Sequence, residues 1–412
     1  MKTRILTVVV GLALTSVASG AIVVPGADGS DGVLNIAADT VIDLSKAVTG
    51  NWDGNNSANE GKGIYDPDKW AVVFKYSSVT VASGSTVTFK NHPSRAPVVW
   101  LVSGDVTIDG TVSVAGNRNV APPGLAEPGP GGFRGATGDY STGVASSAGF
   151  GPGGGARVAK GGSYGTSPAG EPPAYGNPSL IPLIGGSGGS GSDGVGGGAG
   201  GGALLIACTQ TITLNGGISA AGGAGASYYY SNTTGGGSGG GVRLVCSTLA
   251  GTGSCQALAG TGGANAAAGL GRIRLERVVN ANTLQVVPDP SIVPLTEGAT
   301  ALLWPPAGAP EVRVVSIGGV AAPADPRASF GTEGADVALP QTATTEVLVE
   351  TTNVEQASQV QVRVTPRHSA NYTAVNATVD SVVSTDPLVI RWVASVPVRN
   401  GFSAVQVKVV RP

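Results

Sequence analysis

The sequence predicts an all-β protein: a parallel β-helix-like solenoid with a glycine-rich insertion, followed by an immunoglobulin- or fibronectin-like β-sandwich. Three observations point there. Glycine fills 67 of 412 positions and aromatics only 5%, with Val, Thr and Ala between the glycines, a composition suited to pleated strands joined by tight turns. Strand-like segments recur in register between residues 70 and 278. Seven short alternating segments occupy residues 311 to 412.

Residues 1–20 read as a secretory signal peptide cleaved after Gly20, because Lys2 and Arg4 precede an apolar run from Ile5 to Leu14 and the small residues Ala18 and Gly20 follow. Thr15, Ser16 and Ser19 interrupt that run before the ~20 apolar residues a membrane span needs. No later stretch supplies a span, so the mature chain is expected without a transmembrane segment, secreted, and extracellular or at the cell surface. The 24 Lys and Arg against 26 Asp and Glu leave no basic footprint for nucleic acid and no polybasic lipid-binding cluster.

Residues 21–284 are expected to form the solenoid. Segment 201–226 overlays 239–264 without a gap at an offset of 38 residues (239 − 201), and 97–116 overlays 203–222, setting Val106, Ile108 and Val112 over Ile212, Leu214 and Ile218. A shorter echo lies at 70–89, and 269–278 keeps only the opening strand. Units this small cannot bury their own apolar faces, so they stack. Within one unit Val106, Ile108, Val112 and Val114 point inward and Asp105, Thr107, Asp109 and Ser113 outward, with Asp109-Gly110 and Asn215-Gly216 at equivalent corners. A β-sandwich of ordinary hairpins is the rival arrangement, and gapless repetition weighs against it.

The insertion, about residues 117–200, has the composition of a disordered tract. It carries, however, the apolar anchors Phe133, Tyr140, Phe150, Tyr164, Tyr175, Leu180, Ile181, Leu183 and Ile184. That combination predicts a compact loop against the solenoid, with extended polyglycine runs packed side by side. Residues 285–310 read as a proline-rich linker with a short strand inside. The sandwich strands are then EVRVVSI, ADVALP, TEVLVETTNV, SQVQVRVTP, YTAVNATVDSV, LVIRWVASV and SAVQVKVV, with Trp392 as core aromatic.

The order APVVWLVSGDVTIDGTVSVAG (96–116), PLIGGSGG (182–189), GGALLIA (201–207), GGGVRLV (239–245) and GRIRLE (271–276) resembles a group of uncharacterised exported bacterial glycine-rich proteins. The resemblance spans roughly residues 28–278, implies a secreted, β-helical, glycine-rich protein, and carries over no catalytic or binding residue. Polyglycine-packed phage adhesin tips are similar in composition alone.

No catalytic constellation stands out. A polysaccharide-cleaving β-helix needs carboxylates clustered on one face, yet Asp105 and Asp109 do not recur in later units. The two histidines, His92 and His368, fall in different expected domains. No cofactor is expected, a structural calcium ion excepted. Its candidates are Asp53, Asn55 and Glu60 with Asp66 and Asp68, a set that resembles a calcium loop but lacks Gly at the sixth place and has Ile64 at the twelfth, so polar loops are the plainer reading. Of the three cysteines, Cys246 and Cys255 flank a glycine-rich turn within one unit and are the favoured disulfide, while Cys208 and Cys246, at equivalent places in successive units, are the other pairing weighed. These features predict a non-enzymatic secreted structural, surface-display or adhesion protein acting on cell-surface or matrix components or glycans. The alternative is a carbohydrate-active enzyme or carbohydrate-binding protein on a β-helix.

Overall fold

The computed structural model describes residues 20–53, 63–120, 124–138, 147–156, 159–168, 172–192, 194–225, 227–228, 232–263, 266–327, 334–340, 343–368 and 371–412. The signal-like residues 1–19 lie outside this set. The fold is all-β with many strands paired in parallel, and among the described residues no helix is long and apolar enough to cross a membrane.

Residues 33–294 form three parallel ladders that the chain visits in turn. The first stacks Ala71–Tyr76, Val98–Val102, Ala203–Cys208, the opening halves of Gly241–Gly251 and Arg272–Asn282, and Ser291–Pro294. Val33–Ile36, Ser78–Val81, Val106–Ile108, Thr211–Leu214 and the closing halves of the same two long strands make the second. The third runs Thr40–Asp43, Thr86–Lys90, Thr111–Ser113, Gly217–Ser219, Ser254–Gln256 and Gln285–Val287. One core lies between them, with Trp100, Ile206 and Leu244 from the first ladder, Val106, Ile212 and Leu249 from the second and Val112, Ile218 and Cys255 from the third.

The first ladder is buried on both faces, which is why its strands read as continuous apolar runs such as VVWLV. Its outward Val99, Leu101, Leu205 and Val245 meet a second cluster that includes Ile22, Tyr164, Leu180 and Leu303. The expected register holds between the first two full units, where Leu204 lies opposite Val98, Ile212 opposite Val106 and Ile218 opposite Val112. It slips in the third unit, where Ala203 faces Gly241 but Ile212 faces Leu249. One residue fewer turns that corner, so Cys255 stacks on Ile218 rather than Gly217. The last unit also pairs along all of Arg272–Asn282, beyond the single opening strand expected.

Glycine-rich runs feed these strands and flank them, and their hydrogen bonds have a period of three. Along residues 196–202 the N–H groups of Gly196, Ala199 and Gly202 donate to Val120, Asn117 and Val114 on one neighbouring run. Those of Gly197 and Gly200 donate to Ala136 and Phe133 on another, and those of Gly198 and Gly201 to Gly235 and Ser238 on a third. Three residues per turn with no internal bonds is the geometry of an extended left-handed chain whose polar groups radiate around its axis. Such chains fit together only without side chains: a Cβ on Gly200 would lie 1.9 Å from the carbonyl oxygen of Gly186, and one on Gly237 equally close to that of Ala199. Ser187 and Ser238 fit because the Ser238 hydroxyl accepts from the Ser187 N–H at 2.8 Å.

Residues 285–310 carry two strands, and they close over the first ladder. Val23 pairs with Thr300, Trp304 packs on Trp52 at 5.3 Å, and the buried Arg243, paired with Glu276 at 2.7 Å, donates to the carbonyl of Leu302 at 2.6 Å. Beyond them are two antiparallel sheets on a shared core. One orders Val320–Ala321, Glu311–Ile317, Thr344–Thr352, Leu388–Pro397 and Thr378–Thr385; the other orders Thr373–Asn376, Gln359–Pro366 and Ser403–Val410. Trp392 is buried there, and its indole N–H donates to Thr351 Oγ1 at 2.8 Å. Residues 335–340 are not a strand, since Asp336 instead accepts the Arg327 N–H, and YTAVNATVDSV splits into two strands.

Two substitutions probe the core and the runs. Leu214→Asp buries a charge among Ile108 and its ladder neighbours, at a cost beyond the ~2–5 kcal/mol of a large-to-small core change, so thermal melting is expected to show loss of the ladders. Gly200→Ala is expected to lower stability by at least about 1–3 kcal/mol through overpacking against fixed backbone. Gly217→Ala, whose Cβ would come no closer than ordinary contact, 3.4 Å from Ser254 Oγ and 3.9 Å from Thr111 Oγ1, is expected to melt like the parent.

Candidate functional site

A cleft of about 1160 Å³ lies where the ladders, the glycine runs and the C-terminal sheets meet. Its ladder-side wall is Trp70 with Ser94 and Arg95. Trp70 and Arg95 hold left-handed backbones, φ 45° and 56°, an uncommon state for side-chain-bearing residues that surrounding contacts must enforce. Those contacts are present: the Trp70 indole donates to the Ser94 carbonyl at 3.2 Å, and Arg95 donates its N–H to His92 O at 2.8 Å and accepts from Gly131 N–H at 2.6 Å.

Phe133, Arg134 and Phe150 of the glycine-rich tract form the floor, and Val312, Val314, Phe402 and Val405 of the C-terminal sheets the opposite wall. Around this apolar interior stand Arg95, Arg134, Arg313, Arg327 and Arg399, with Asp336 the one acidic lining residue among the described residues. Glu127 is shared between Arg95 Nε at 3.1 Å and Arg134 Nε at 2.6 Å, and Glu350 between Arg313 Nε at 3.0 Å and Arg391 Nε at 3.3 Å. Each carboxylate thus meets two guanidinium groups and leaves one positive charge in excess. Hydrogen bonds from Arg313 and its charge hold the Glu350 carboxyl below the usual range despite partial desolvation.

The cleft walls are fastened to one another. Tyr65 donates to Asp325 Oδ1 at 2.6 Å and stacks on His92 at 4.0 Å; His92 Nδ1 bonds Ser94 Oγ at 2.8 Å, and Arg95 donates to Arg327 O at 3.2 Å. On the other side Arg363 leaves its strand to donate to the carbonyls of Gly149 and Gly154 at 3.1 and 3.0 Å, with its guanidinium 3.6 Å from the centre of the Tyr372 ring. Burial lowers its pKa to about 10, which leaves it charged at neutral pH. Burial first, then repulsion by Arg327, brings His92 down to about 4, with Asp325 opposing.

Of the calcium candidates, Asp53, Asp66 and Asp68 are among the described residues. Asp53 is exposed and its N–H bonds to Asn51 Oδ1; Asn55 and Glu60 lie outside the described residues. Asp66 is buried and spends Oδ1 on the N–H groups of Asp68 and Lys69 at 2.9 and 3.2 Å, which shapes a turn. Among the described residues no three His, Cys, Asp or Glu side chains are grouped to hold a metal ion. The expected Cys246–Cys255 bridge is not formed: all three cysteines are free and buried, with Cys246 on the strand of the first two ladders and Cys255 on the third. Cys208 donates its thiol to Gly104 O at 2.8 Å instead. Burial pushes the thiols of Cys208 and Cys255 up to about 12, so they stay protonated and unreactive at neutral pH.

The cleft went unforeseen because its five arginines are dispersed from residue 95 to residue 399, with no two adjacent. The residues flagged in its walls, Phe133 and Phe150, were expected as packing anchors. No protein-family model, curated protein or solved structure matches this chain.

The His92 geometry fixes a pH dependence. Its folded pKa lies below the ordinary 6.5, so between pH 6.5 and about 4 the unfolded chain binds more protons and stability falls as pH falls. Melting temperatures of the parent are expected to decline from pH 7 to 5, and His92→Phe, which retains a ring against Tyr65, to flatten that decline. An unchanged pH profile in the variant contradicts the assignment.

Proposed function

We propose that the chain is an exported, non-enzymatic scaffold: a β-helix braced by a polyglycine lattice, which holds an immunoglobulin-like β-sandwich in fixed orientation for display or adhesion at a cell surface or in the extracellular matrix. The observation that carries the reading is the threefold hydrogen bonding of the 196–202 run, repeated at 235–240, where Gly235 and Ser238 donate to one neighbouring run and Gly237 and Gly240 to another. Rigidity comes from backbone alone there. A body so built has little surface chemistry of its own and suits holding something else in place.

Two features support the rest of the reading. The leader pattern of residues 1–20 supports export, and a wall fastened by the buried Arg363 supports a sandwich held at a set angle. Asp105 and Asp109, the carboxylates an enzyme reading would use, act as corner braces, accepting from Thr211 N–H at 3.0 Å and Asn215 Nδ2 at 2.8 Å.

Expression of the full chain in a bacterial host, followed by fractionation and N-terminal sequencing, is expected to find it beyond the cytoplasmic membrane and starting at Ala21. Incubation with acidic and neutral polysaccharides is expected to leave their chain lengths unchanged. Depolymerisation that disappears in Asp105→Asn or Asp109→Asn overturns the scaffold reading, and cytoplasmic retention of the uncut chain overturns export.

A further inference from the structure

One wall of the cleft is the edge of a sheet. Ser403–Val410 pairs with Gln359–Pro366 and has no strand on its other side among the described residues. The register shows which groups face the open edge. Arg367 N–H donates to Phe402 O, and Pro366, which has no N–H, lies opposite Ser403. Hydrogen-bonded pairs alternate in an antiparallel ladder, so Ala404 and Gln406 spend their backbone groups on the partner strand, while those of Ser403 and Val405 point into the cleft. Across it, Glu311–Ile317 is covered only at its C-terminal end, where Val320–Ala321 pairs with Ser316 and Ile317 and the Ala322 N–H donates to Val315 O, which leaves the cleft framed by two sheet edges.

Unpaired edges in native proteins are normally blunted by a proline, a bulge or a covering segment, because they template the addition of another strand. Ser403–Val410 contains no proline, its pairing register has no bulge, and its one charged side chain, Lys408, is not among the residues Ser403–Gln406 that line the cleft. Beside it, Phe402 and Val312 are large apolar residues left 37% and 40% exposed. The volume of about 1160 Å³ lies just above the ~300–1,000 Å³ of small-molecule sites. Among the described residues six guanidinium groups, the five lining arginines and Arg391, stand against the carboxylates of Glu127, Glu350, Asp325 and Asp336, and this excess of positive charge supplies the complement. Arg399 is exposed and makes no ion pair among the described residues.

We propose that this cleft is a strand-accepting site: an extended peptide segment of another protein, with alternating apolar side chains and acidic residues at its ends, adds to the open edge at Ser403 and Val405, seats its apolar side chains against Phe402 and Val312, and pairs its carboxylates with the arginine rim. Main-chain bonds to the edge supply affinity, and the rim supplies selection for acidic flanks. The proposal rests on the strand pairing and the cleft, and stands whether or not the chain is exported or acts as a scaffold.

The test uses the purified full chain and a fluorescent synthetic peptide of alternating valine and threonine between glutamate pairs, with a lysine-flanked version for comparison. Saturable binding by anisotropy is expected for the acidic peptide, at least tenfold tighter than for the lysine version, together with slowed amide exchange at Ser403 and Val405. Arg399→Glu is expected to weaken binding at least tenfold with an unchanged melting temperature. Ser403→Pro, which removes an outward N–H at the first residue of the strand without touching the ladder, is expected to weaken it as well. No saturable binding at millimolar peptide overturns the proposal, as does binding that leaves exchange at Ser403 and Val405 unchanged. Binding of an acidic uronate oligosaccharide in place of the peptide, abolished by Arg399→Glu, overturns it in favour of a glycan site.

Discussion

The structure depends on one requirement: the backbone N–H and C=O groups of glycine runs buried away from water must all find partners. A buried amide left unpaired costs free energy comparable to a lost hydrogen bond, and a run without side chains cannot repay that by burying apolar surface. The threefold pattern at 196–202 meets the requirement by giving successive residues to different neighbours, so that each run is held from several directions. That arrangement excludes side chains at its contacts, as the 1.8 Å approach of a Cβ on Gly223 to the Asn117 carbonyl shows. Composition and geometry therefore enforce each other.

The ladders and the glycine runs share one chain path. The run at 195–202 leads directly into Ala203–Cys208 and that at 234–240 into Gly241–Gly251, while residues 220–225 leave Gly217–Ser219. Stacking of strands thus sets the spacing of the runs, and the runs cover one side of the stack. The apolar anchors within the tract have a matching role. Tyr164 and Tyr175 are buried against the outer face of the first ladder, with hydroxyls donating to Ile184 O at 2.7 Å and Gly185 O at 2.8 Å. The same tract carries Phe133, Arg134 and Phe150 to the cleft and offers the carbonyls that receive Arg363, so the placement of the C-terminal sheets follows from the lattice.

Much of the fold is legible in the sequence because periodic burial leaves a periodic pattern. Val106, Ile108 and Val112 mark inward positions that recur at Ile212, Leu214 and Ile218, and the pairing follows them. Side-by-side glycine runs are legible from the coincidence of glycine with buried aromatics. What misleads is a corner: one residue fewer between Val245 and Thr248 than between Ala207 and Thr211 leaves the residue types similar, so the gapless overlay survives by eye while the pairing slips, and with it the argument for a Cys246–Cys255 bridge. Residues 285–310 look like a linker because they are rich in proline, although a buried guanidinium, Arg243, far away in sequence holds their carbonyls. The cleft is illegible for a related reason. Its arginines come from five separate segments, and only tertiary docking brings them together.

Amide hydrogen exchange of the full chain, resolved to residues 196–202 and 235–240, tests the lattice most directly. If these amides are bonded into a cooperative body, they exchange as slowly as those of the core strand Ala203–Cys208, with opening energies close to that of global unfolding. Exchange of the glycine amides at the rate of an unfolded chain, while Ala203–Cys208 remains protected, contradicts the account.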